Sequence, residues 1–301
     1  MRLSVSFRVT ALVLAMVAGV AACGHEAEIP QEQATGPDPE LPQPTTPLIP
    51  TVNVADAVGW PEDGGPIAAE GFGVSAFAAN LDHPRWLYVL PNGDVLVAET
   101  NAPEKPDDNG GIRGWFVSLF MGKAGAGTKS ADRITLLRDT DGDGAADVRG
   151  TFLDRLHSPF GMALVGSDFY VANTDAVWRF PYQQGDKRID AVGEKIADLP
   201  AGTINHHWTK NLIASPDGRF LYATVGSNSN VGENGLDAEK DRAAILEIDR
   251  ASHKTRVFAS GLRNPNGMAW EKNTGALWTV VNERDELGSD LVPDFLTSVK
   301  D

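Results

Sequence analysis

The chain has 301 residues, with 41 acidic and 26 basic side chains and a formal net charge of −15. This balance argues against nucleic acid and against anionic lipid as partners bound by charge, since both need a basic protein surface. Glycine (31 residues) and proline (19 residues) are abundant and long helical patterns are few. The composition therefore favours an all-β fold with many turns.

The N-terminus has the pattern of an export signal. Arg2 and Arg8 flank a short polar start, and the apolar run VTALVLAMVAGVAAC ends in small residues at Cys23. The letters VAAC resemble a bacterial lipoprotein processing site, which predicts a signal peptide over residues 1–22 and a lipid on Cys23. We expect attachment to the periplasmic face of a bacterial membrane by this lipid alone. An ordinary secretory signal, giving a soluble secreted or periplasmic protein, is the alternative.

Residues 23–50 are proline-rich, acidic and poor in large apolar side chains. Such a segment cannot bury enough surface to offset the entropy lost on ordering, so a disordered tether is expected. Cys23 is the only cysteine in the sequence, so no intrachain disulfide is expected either. The folded domain is then predicted over residues 51–301.

Four segments of this domain repeat one pattern, in which an apolar strand, a tight turn and a second alternating strand follow each other. They begin at residues 81, 156, 206 and 262. The last two intervals are about 50 residues, which matches four-stranded propeller blades, and the longer first interval contains a glycine-rich insert and an acidic loop. RITLLRD and AILEIDRASHKTRVFA supply outer strands. The sequence predicts an all-β propeller with three blades and the start of a fourth. Since a closed propeller needs about 4–8 blades, we expect the sequence to be a fragment of a longer protein.

The stretch RDTDGDGAADVRG follows the spacing of a calcium-binding loop. Acidic residues occupy positions 1, 3, 5 and 9, Gly144 stands at position 6, and Gly150 replaces the bidentate acid of position 12. Hard oxygen ligands at alternate positions suit Ca²⁺. We expect a structural calcium ion here, with a solvated acidic turn as the alternative. The four acidic residues are Asp139, Asp141, Asp143 and Asp147.

Three of the repeats place polar side chains just before or at the start of their inner strands. These side chains are His157, the pair His206 and His207, and the pair Arg263 and Asn264. Inner strands of a propeller face the central channel, so residues distant in sequence are expected to converge there. A neutral histidine can accept a proton from a substrate hydroxyl, and arginine offers a fixed charge to an anionic ligand. Hydrogen bonding between blades is the structural alternative for all five.

The segments NHHWTKNLIASPDGRFLYATVGSNSN, LRNPNGMAW and VVNERDELGSDLVPDF resemble the sorbosone dehydrogenase group. This group is related to the soluble glucose dehydrogenases that use pyrroloquinoline quinone (PQQ). The resemblance covers about residues 70–301 and implies a six-bladed propeller, with about three and a half blades present here. It also implies PQQ-dependent oxidation of a sugar or a sugar-derived aldehyde or alcohol, of the sorbosone or aldose type.

The resemblance implies roles for single residues. His207 would take the hydroxyl proton while hydride passes to the quinone, and His206 stands where the family has an acid that orients this base. Arg263 and Asn264 match the pair that contacts the quinone oxygens. His157 is the candidate for a further polar contact with the cofactor.

The resemblance also implies a second calcium ion, which would bridge to the cofactor. Its ligands would be main-chain carbonyls of the stretch 282–285, with Glu283 and Arg284 closest. Further basic residues that grip the cofactor in the family lie in later blades, so we expect little activity from these 301 residues alone. No CxxCH haem motif occurs in the sequence, so electrons are expected to leave to a separate acceptor.

Two other functions compete with a sugar dehydrogenase. A non-catalytic propeller of the cell envelope could bind a protein or glycan partner, because the fold alone does not set the function. A calcium-dependent sugar lactonase would need acidic side chains around a central metal. Convergence of His207, Arg263 and the 282–285 stretch at one end of the channel would favour the dehydrogenase.

Overall fold

The computed structural model of the protein describes residues 27–44, 58–61, 64–103, 128–285 and 287–299. Cys23 and the predicted signal peptide lie outside the described residues. The chain divides into two compact units, Met1–Val54 with Glu283–Pro293, and Ala55–Asn282 with Asp294–Asp301. Across the described ranges, no helix combines the length and the apolar character needed to cross a membrane.

The first unit contains one short helix in its described part, α1 (Gln31–Ala34). Just before it, the main-chain N–H groups of Glu28 and Ile29 donate to the carboxylate of Asp290 at 2.9 and 3.3 Å. These two bonds join the described N-terminal stretch to the segment before Pro293. The boundaries predicted at residues 22 and 50 fall outside the described ranges and stay predictions.

The second unit is a β-propeller of four sheets, which confirms the predicted fold. Each sheet is one blade, with antiparallel strands that follow the chain order. The first two blades contain β1 (Pro84–Val89), β2 (Val95–Glu99), β3 (Arg133–Arg138), β4 (Val148–Leu153), β5 (Met162–Val165), β6 (Asp168–Ala172), β7 (Ala176–Pro181) and β8 (Glu194–Asp198). The last two contain β9 (Leu212–Ala214), β10 (Phe220–Val225), β11 (Ala244–Asp249), β12 (Thr255–Ser260), β13 (Asn264–Trp270), β14 (Leu277–Asn282) and β15 (Phe295–Val299).

The four repeats of the sequence form the inner hairpins of the four blades, and their turn residues explain why. Between β1 and β2, Gly93 has a φ of 88°, and its N–H donates to the carbonyl of Leu90 at 2.9 Å. Between β9 and β10, Gly218 has a φ of 70°, and its N–H donates to the carbonyl of Ser215 at 2.9 Å. Glycine adopts this left-handed conformation without steric cost, so both turns close where the sequence predicts.

Three apolar cores hold the blades together face to face. Successive side chains of one strand point to opposite faces of its sheet, so a single strand contributes to two cores. Phe169 and Val171 of β6 belong to the first core, and Tyr170 belongs to the second. Burial of both sheet faces accounts for the nearly continuous apolar character of the inner strands. The cores contain Leu96, Ile134, Phe152 and Met162 between blades one and two; Val177, Leu212, Leu221 and Ile248 between blades two and three; and Tyr222, Ile245, Leu277 and Val281 between blades three and four.

Blades two and three approach very closely at Gly161, just before β5. A Cβ atom at Gly161 would lie 2.3 Å from the main-chain N of Leu212, so no larger residue fits without a backbone shift. The N–H of Gly161 donates to the carbonyl of Lys210 at 2.9 Å. This contact fixes the segment that leads into β9.

A buried ionic network ties the entry of the first blade to β2 and β3. The carboxylate of Glu99, which has no solvent exposure, accepts from Arg133 Nε at 2.5 Å, Thr135 Oγ1 at 2.6 Å and the N–H of Asp82 at 2.7 Å. Burial alone would raise the pKa of Glu99, but Arg133 and the other donors hold that pKa below its ordinary value of 4.5. Glu99 is therefore ionised in the folded state at neutral pH.

We expect Glu99→Gln to lower the free energy of unfolding by about 2–3 kcal/mol near neutral pH, because it leaves Arg133 without its buried partner. A lowered folded-state pKa stabilises the fold above the unfolded pKa of 4.5, and this contribution disappears as the pH falls through the folded value. Urea unfolding at neutral pH and at about pH 3 measures both effects. A difference between the two proteins that stays constant into acid would contradict the prediction.

Candidate active site

His207 lies in the segment before β9, with its ring half-buried. Its Nδ1 lies 2.7 Å from the main-chain oxygen of Ser227, which can only accept a hydrogen bond. Nδ1 therefore carries the proton, and Nε2 keeps its lone pair. The hydroxyl of Ser227 lies 3.1 Å from the same Nδ1 and donates its own proton to the carbonyl of Ser229 at 2.6 Å.

The surroundings of His207 keep its imidazole neutral. Burial is the main cause that lowers its pKa from 6.5 to about 4, and the charges of His206, Arg263 and Arg242 act in the same direction. The hydrogen bond to Ser227 opposes the shift but does not cancel it. At neutral pH this side chain is a proton acceptor with a fixed tautomer.

Gly226 brings His207 next to the start of β13. A Cβ atom at Gly226 would lie 2.5 Å from Cβ of His207 and 2.4 Å from Oδ1 of Asn264, so the two side chains flank this glycine. The N–H of Ser227 donates to the carbonyl of Arg263 at 2.8 Å. The turn after β10 thus gathers His207, Arg263 and Asn264 into one cluster, as the sequence predicts for channel-facing residues.

Hydrogen bonds at all three nitrogens fix the guanidinium of Arg263. Nε donates to the carbonyl of Asn230 at 3.0 Å, Nη2 to Oδ1 of Asn230 at 2.6 Å, and Nη1 to the carbonyl of Asn282 at 3.1 Å. Asn282 is the first residue of the stretch predicted to hold the cofactor calcium. Glu283 and Arg284 belong to the first unit, so their predicted calcium-binding role stays a prediction.

The long loop from β10 to β11 lies beside this cluster and is held by hydrogen bonds to two of its own glutamates. Glu239, in a short 3-10 helix (Leu236–Glu239), accepts from the N–H of Asn228 at 2.8 Å and from the hydroxyl of Ser229 at 2.6 Å. Glu233 accepts from two further N–H groups of the loop. These bonds fix the loop, and with it the main-chain carbonyl and the side-chain Oδ1 of Asn230 to which Arg263 donates.

His206 contacts His207 through its ring and is exposed to solvent. The two ring centroids lie 4.9 Å apart at an interplanar angle of 82°. The sequence predicts that His206 steers the base, whereas the bond that fixes the His207 ring runs to the Ser227 carbonyl. A main-chain carbonyl can do this work because the hairpin β9–β10 returns the chain to the same end of the blade.

His157 contacts a carboxylate of its own blade. Its Nδ1 lies 3.0 Å from Oδ2 of Asp175, and both residues line a cavity of about 380 Å³ together with Asn173 and Trp178. Within the described part of the chain, no hydrogen bond or ring contact joins the His157 side chain to His207, Arg263 or Asn264. The cofactor contact predicted for His157 stays a prediction.

The acidic loop between β3 and β4 gathers three of its four predicted ligands. Oxygen atoms of Asp139, Asp141 and Asp147 lie within 4.8 Å of one another. The Asp143 carboxylate is not part of this three-acid group; like the others, it accepts a main-chain hydrogen bond, from the N–H of Ala145 at 2.8 Å. Hydrogen bonds from the N–H groups of Gly144 and Gly142 lower the pKa of Asp139, so this carboxylate is ionised at neutral pH.

A model of a known family, described as TrAA12-like, matches residues 129–294, which is more than half of the chain. The chain belongs to the TrAA12-like family. The matched range contains His207, Arg263, Asn264 and the acidic loop. No curated protein matches this TrAA12-like chain.

Solved structures similar to the TrAA12-like chain share its fold. The holo form of a pyranose dehydrogenase PQQ domain from Coprinopsis cinerea has 19% identity and a TM-score of 0.53, with 72% of this chain and 48% of that chain covered. An iodide structure of family AA12 of carbohydrate-active enzymes from Trichoderma reesei has 17% identity and a TM-score of 0.60, over 83% of this chain and 58% of that one. A calcium structure from the same family and organism has 17% identity and a TM-score of 0.57, over 78% and 56%. This chain thus spans about half the length of each.

Sequence reasoning also did not select Arg85 of this TrAA12-like chain, which contacts the ring of Trp208, the residue after His207. The guanidinium carbon of Arg85, in β1, lies 5.6 Å from the centroid of the Trp208 ring. Trp208 directly follows His207 in the sequence. Among the described residues, Arg85 has no hydrogen-bond or ion-pair partner, and partial burial lowers its pKa. An arginine on a strand of alternating polarity gives no sign of which blade its side chain will contact. The sequence around Arg85 therefore did not indicate its contact with Trp208.

The TrAA12-like site also contains two buried basic side chains that the sequence analysis did not select. Arg242 donates to the carbonyls of Gly226 at 3.1 Å and Pro200 at 2.8 Å, and to Oδ1 of Asn205 at 3.1 Å. Lys210 has no solvent exposure. Lys210 stands between Thr209 and Asn211, so its neighbours in the sequence gave no sign that it is buried.

Proposed function

We propose that the protein carrying this chain is a PQQ-dependent oxidoreductase that oxidises a sugar or a sugar-derived aldehyde or alcohol. The observation that carries the proposal is the cluster around Gly226, where a neutral His207 with a free Nε2 lone pair adjoins Arg263 and Asn264. The solved relative named as a pyranose dehydrogenase PQQ domain supports the cofactor and the substrate class.

His207 is the proposed base. With Nδ1–H held by the Ser227 carbonyl, only Nε2 can receive a proton, and the substrate hydroxyl is its partner in this proposal. The ring is prevented from turning by the hydrogen bond and by the close contact with Gly226. A pKa of about 4 keeps nearly all of His207 in the accepting form at neutral pH.

The residues of the cluster fit a planar, anionic quinone. Asn264 Oδ1 is buried and has no hydrogen-bond partner among the described residues, so this oxygen is not satisfied by a described protein group. Arg85 offers a second guanidinium, stacked on Trp208 and without an ion-pair partner in the described part of the chain. Arginine suits carboxylates and quinone oxygens because its donors form a planar fork. PQQ, when bound, would supply the acceptor for the hydride.

In this proposal Arg263 and Asn264 face the quinone oxygens and Arg85 adds charge from the first blade. Main-chain carbonyls of Glu283 and Arg284 would hold a Ca²⁺ ion next to the cofactor. A separate acceptor would take the electrons. A lipid on Cys23 would hold the protein at the periplasmic face of a bacterial membrane.

The structure gives less support to the two rival functions. A purely binding propeller does not need a buried imidazole with one fixed tautomer beside a fixed guanidinium. A lactonase needs acids around a central metal. Among the described residues, the acidic group able to hold a metal ion lies instead on the loop between β3 and β4.

Dye reduction by the full-length protein tests the function. The protein is loaded with Ca²⁺ and PQQ and supplied with a panel of aldoses and with sorbosone. We expect reduction that depends on both PQQ and the sugar. Absence of any PQQ-dependent reduction across the panel would refute the assignment.

We also propose that Asp139, Asp141 and Asp147 hold a structural Ca²⁺ ion. Calcium at about 100 times its dissociation constant should then stabilise the folded state by about 2.7 kcal/mol and raise the melting temperature. Asp141→Asn should remove most of this rise. Asp143→Asn is the matched control, because the Asp143 carboxylate lies outside the three-acid group and should leave most of the effect. An equal rise in Asp141→Asn and in the unchanged protein would contradict the site.

A further inference from the structure

Lys210 has a buried amine that the proposed reaction does not use. Its side chain has no solvent exposure, yet no carboxylate of the described residues lies within ion-pair distance of its Nζ. Nζ donates to the carbonyl of His207 at 3.3 Å and to the carbonyl of Trp208 at 3.4 Å. Both acceptors belong to the segment that carries the proposed base.

Burying an amine in this way is costly to the fold. Desolvation is the main cause that holds the pKa of Lys210 well below its ordinary value, the Arg242 charge acts in the same direction, and Asp175 opposes them. Replacing buried charged groups by apolar ones of similar size is often neutral or stabilising. Stability alone therefore does not explain why a lysine occupies this position.

The remaining contacts of the segment show what the amine completes. The Trp208 carbonyl also accepts from the hydroxyl of Thr174 at 2.9 Å, and that hydroxyl accepts from Asn205 Nδ2 at 2.8 Å. Arg242 then joins Asn205 to Gly226, the glycine against which His207 packs. This series of hydrogen bonds links the main chain at Trp208 to Gly226, and Lys210 supplies the donor to the main-chain carbonyl of His207.

We propose that Lys210 is a positioning residue: its Nζ fixes the carbonyls of His207 and Trp208, and so sets the direction in which the imidazole of His207 points. The expected effect of Lys210 on turnover rests on the proposed function. The expected effect of Lys210 on the orientation of the His207 ring does not depend on that function. Arg242 binds the same segment through Oδ1 of Asn205, so both side chains hold it by hydrogen bonds.

Lys210→Met tests the proposal, because methionine has a similar length and volume but no donor. The variant and the unchanged protein are compared by melting temperature, by NMR of the His207 ring and by PQQ-dependent dye reduction. We expect an unchanged or higher melting temperature, a fall in kcat of about 10-fold or more with KM little changed, and a rise in the pKa of His207 from about 4 towards 6.5. Lys195→Met is the control, since Lys195 is exposed and paired with Asp198 at 2.7 Å.

The outcomes separate this proposal from the proposed function. If the unchanged protein shows no PQQ-dependent activity, the NMR comparison still decides whether Lys210 sets the state of His207. Unchanged ring signals in Lys210→Met, or a fall in melting temperature that accounts for all other losses, would overturn the positioning role. If Lys210→Met does not fold, Lys210→Gln, which keeps a donor on a shorter side chain, should show a smaller shift in the same direction; no shift overturns the proposal.

Discussion

Replacing His207 with alanine should lower PQQ-dependent sugar oxidation by about 10²–10⁴-fold, because the variant lacks the proposed general base. Cofactor binding should remain, since Arg85, Arg263 and Asn264 are unchanged. Steady-state dye reduction by the full-length protein measures the first effect, and calorimetric titration with PQQ measures the second. Loss of cofactor affinity as large as the loss of activity would show that His207 mainly supports binding.

The pH profile of the unchanged protein gives an independent check on this base. Because burial lowers the pKa of His207 to about 4, kcat/KM should stay level as the pH falls through 6.5 and should decline only as His207 becomes protonated near pH 4. His253→Ala is a suitable control, because His253 is exposed in the turn between β11 and β12. Full activity in His207→Ala would refute the assignment of the base.

Replacing Gly226 with alanine should lower activity by about 10²-fold, because the added Cβ pushes the base away from its partner residues. In the present structure that atom would lie 2.5 Å from His207 Cβ and 2.4 Å from Asn264 Oδ1. Overpacking of this kind also lowers stability, typically by about 1–3 kcal/mol. Activity per folded molecule and the melting temperature should therefore both be measured.

Gly150→Ala is the matched control for this substitution. Gly150 lies in β4, and a Cβ there would meet no atom within 4 Å. We expect little change in activity or stability from this variant. If Gly226→Ala behaves like Gly150→Ala, the close packing of His207 and Asn264 around Gly226 is not required for function.

The blades could be predicted from the sequence because local chemistry decides them. Turn glycines such as Gly93 and Gly218, and strands that alternate between two cores, leave a readable pattern at a spacing of about 50 residues. The convergence of His207, Arg263 and Asn264 could also be predicted, since they occupy equivalent positions in a repeating architecture. These predictions needed no knowledge of side-chain packing.

The finer contacts of the site could not be predicted in this way. The acceptor for His207 Nδ1 is the main-chain carbonyl of Ser227, and a carbonyl has no signature in a sequence. Arg85 and Arg242 acquire their roles from contacts with other blades or with distant loops, and nothing in their neighbours along the chain reveals those contacts. Lys210 looks like a surface lysine until the fold encloses it.

The position of Trp208 has a practical consequence. Its indole is buried next to His207 and lies beneath the guanidinium of Arg85. Indole emission responds to nearby charge and to aromatic acceptors. A compound that binds next to Trp208 and moves the Arg85 guanidinium off the indole should therefore change the fluorescence of the protein. Comparison with Trp208→Phe would isolate this signal from the other six tryptophans, and occupancy could then be followed optically before any substrate is known.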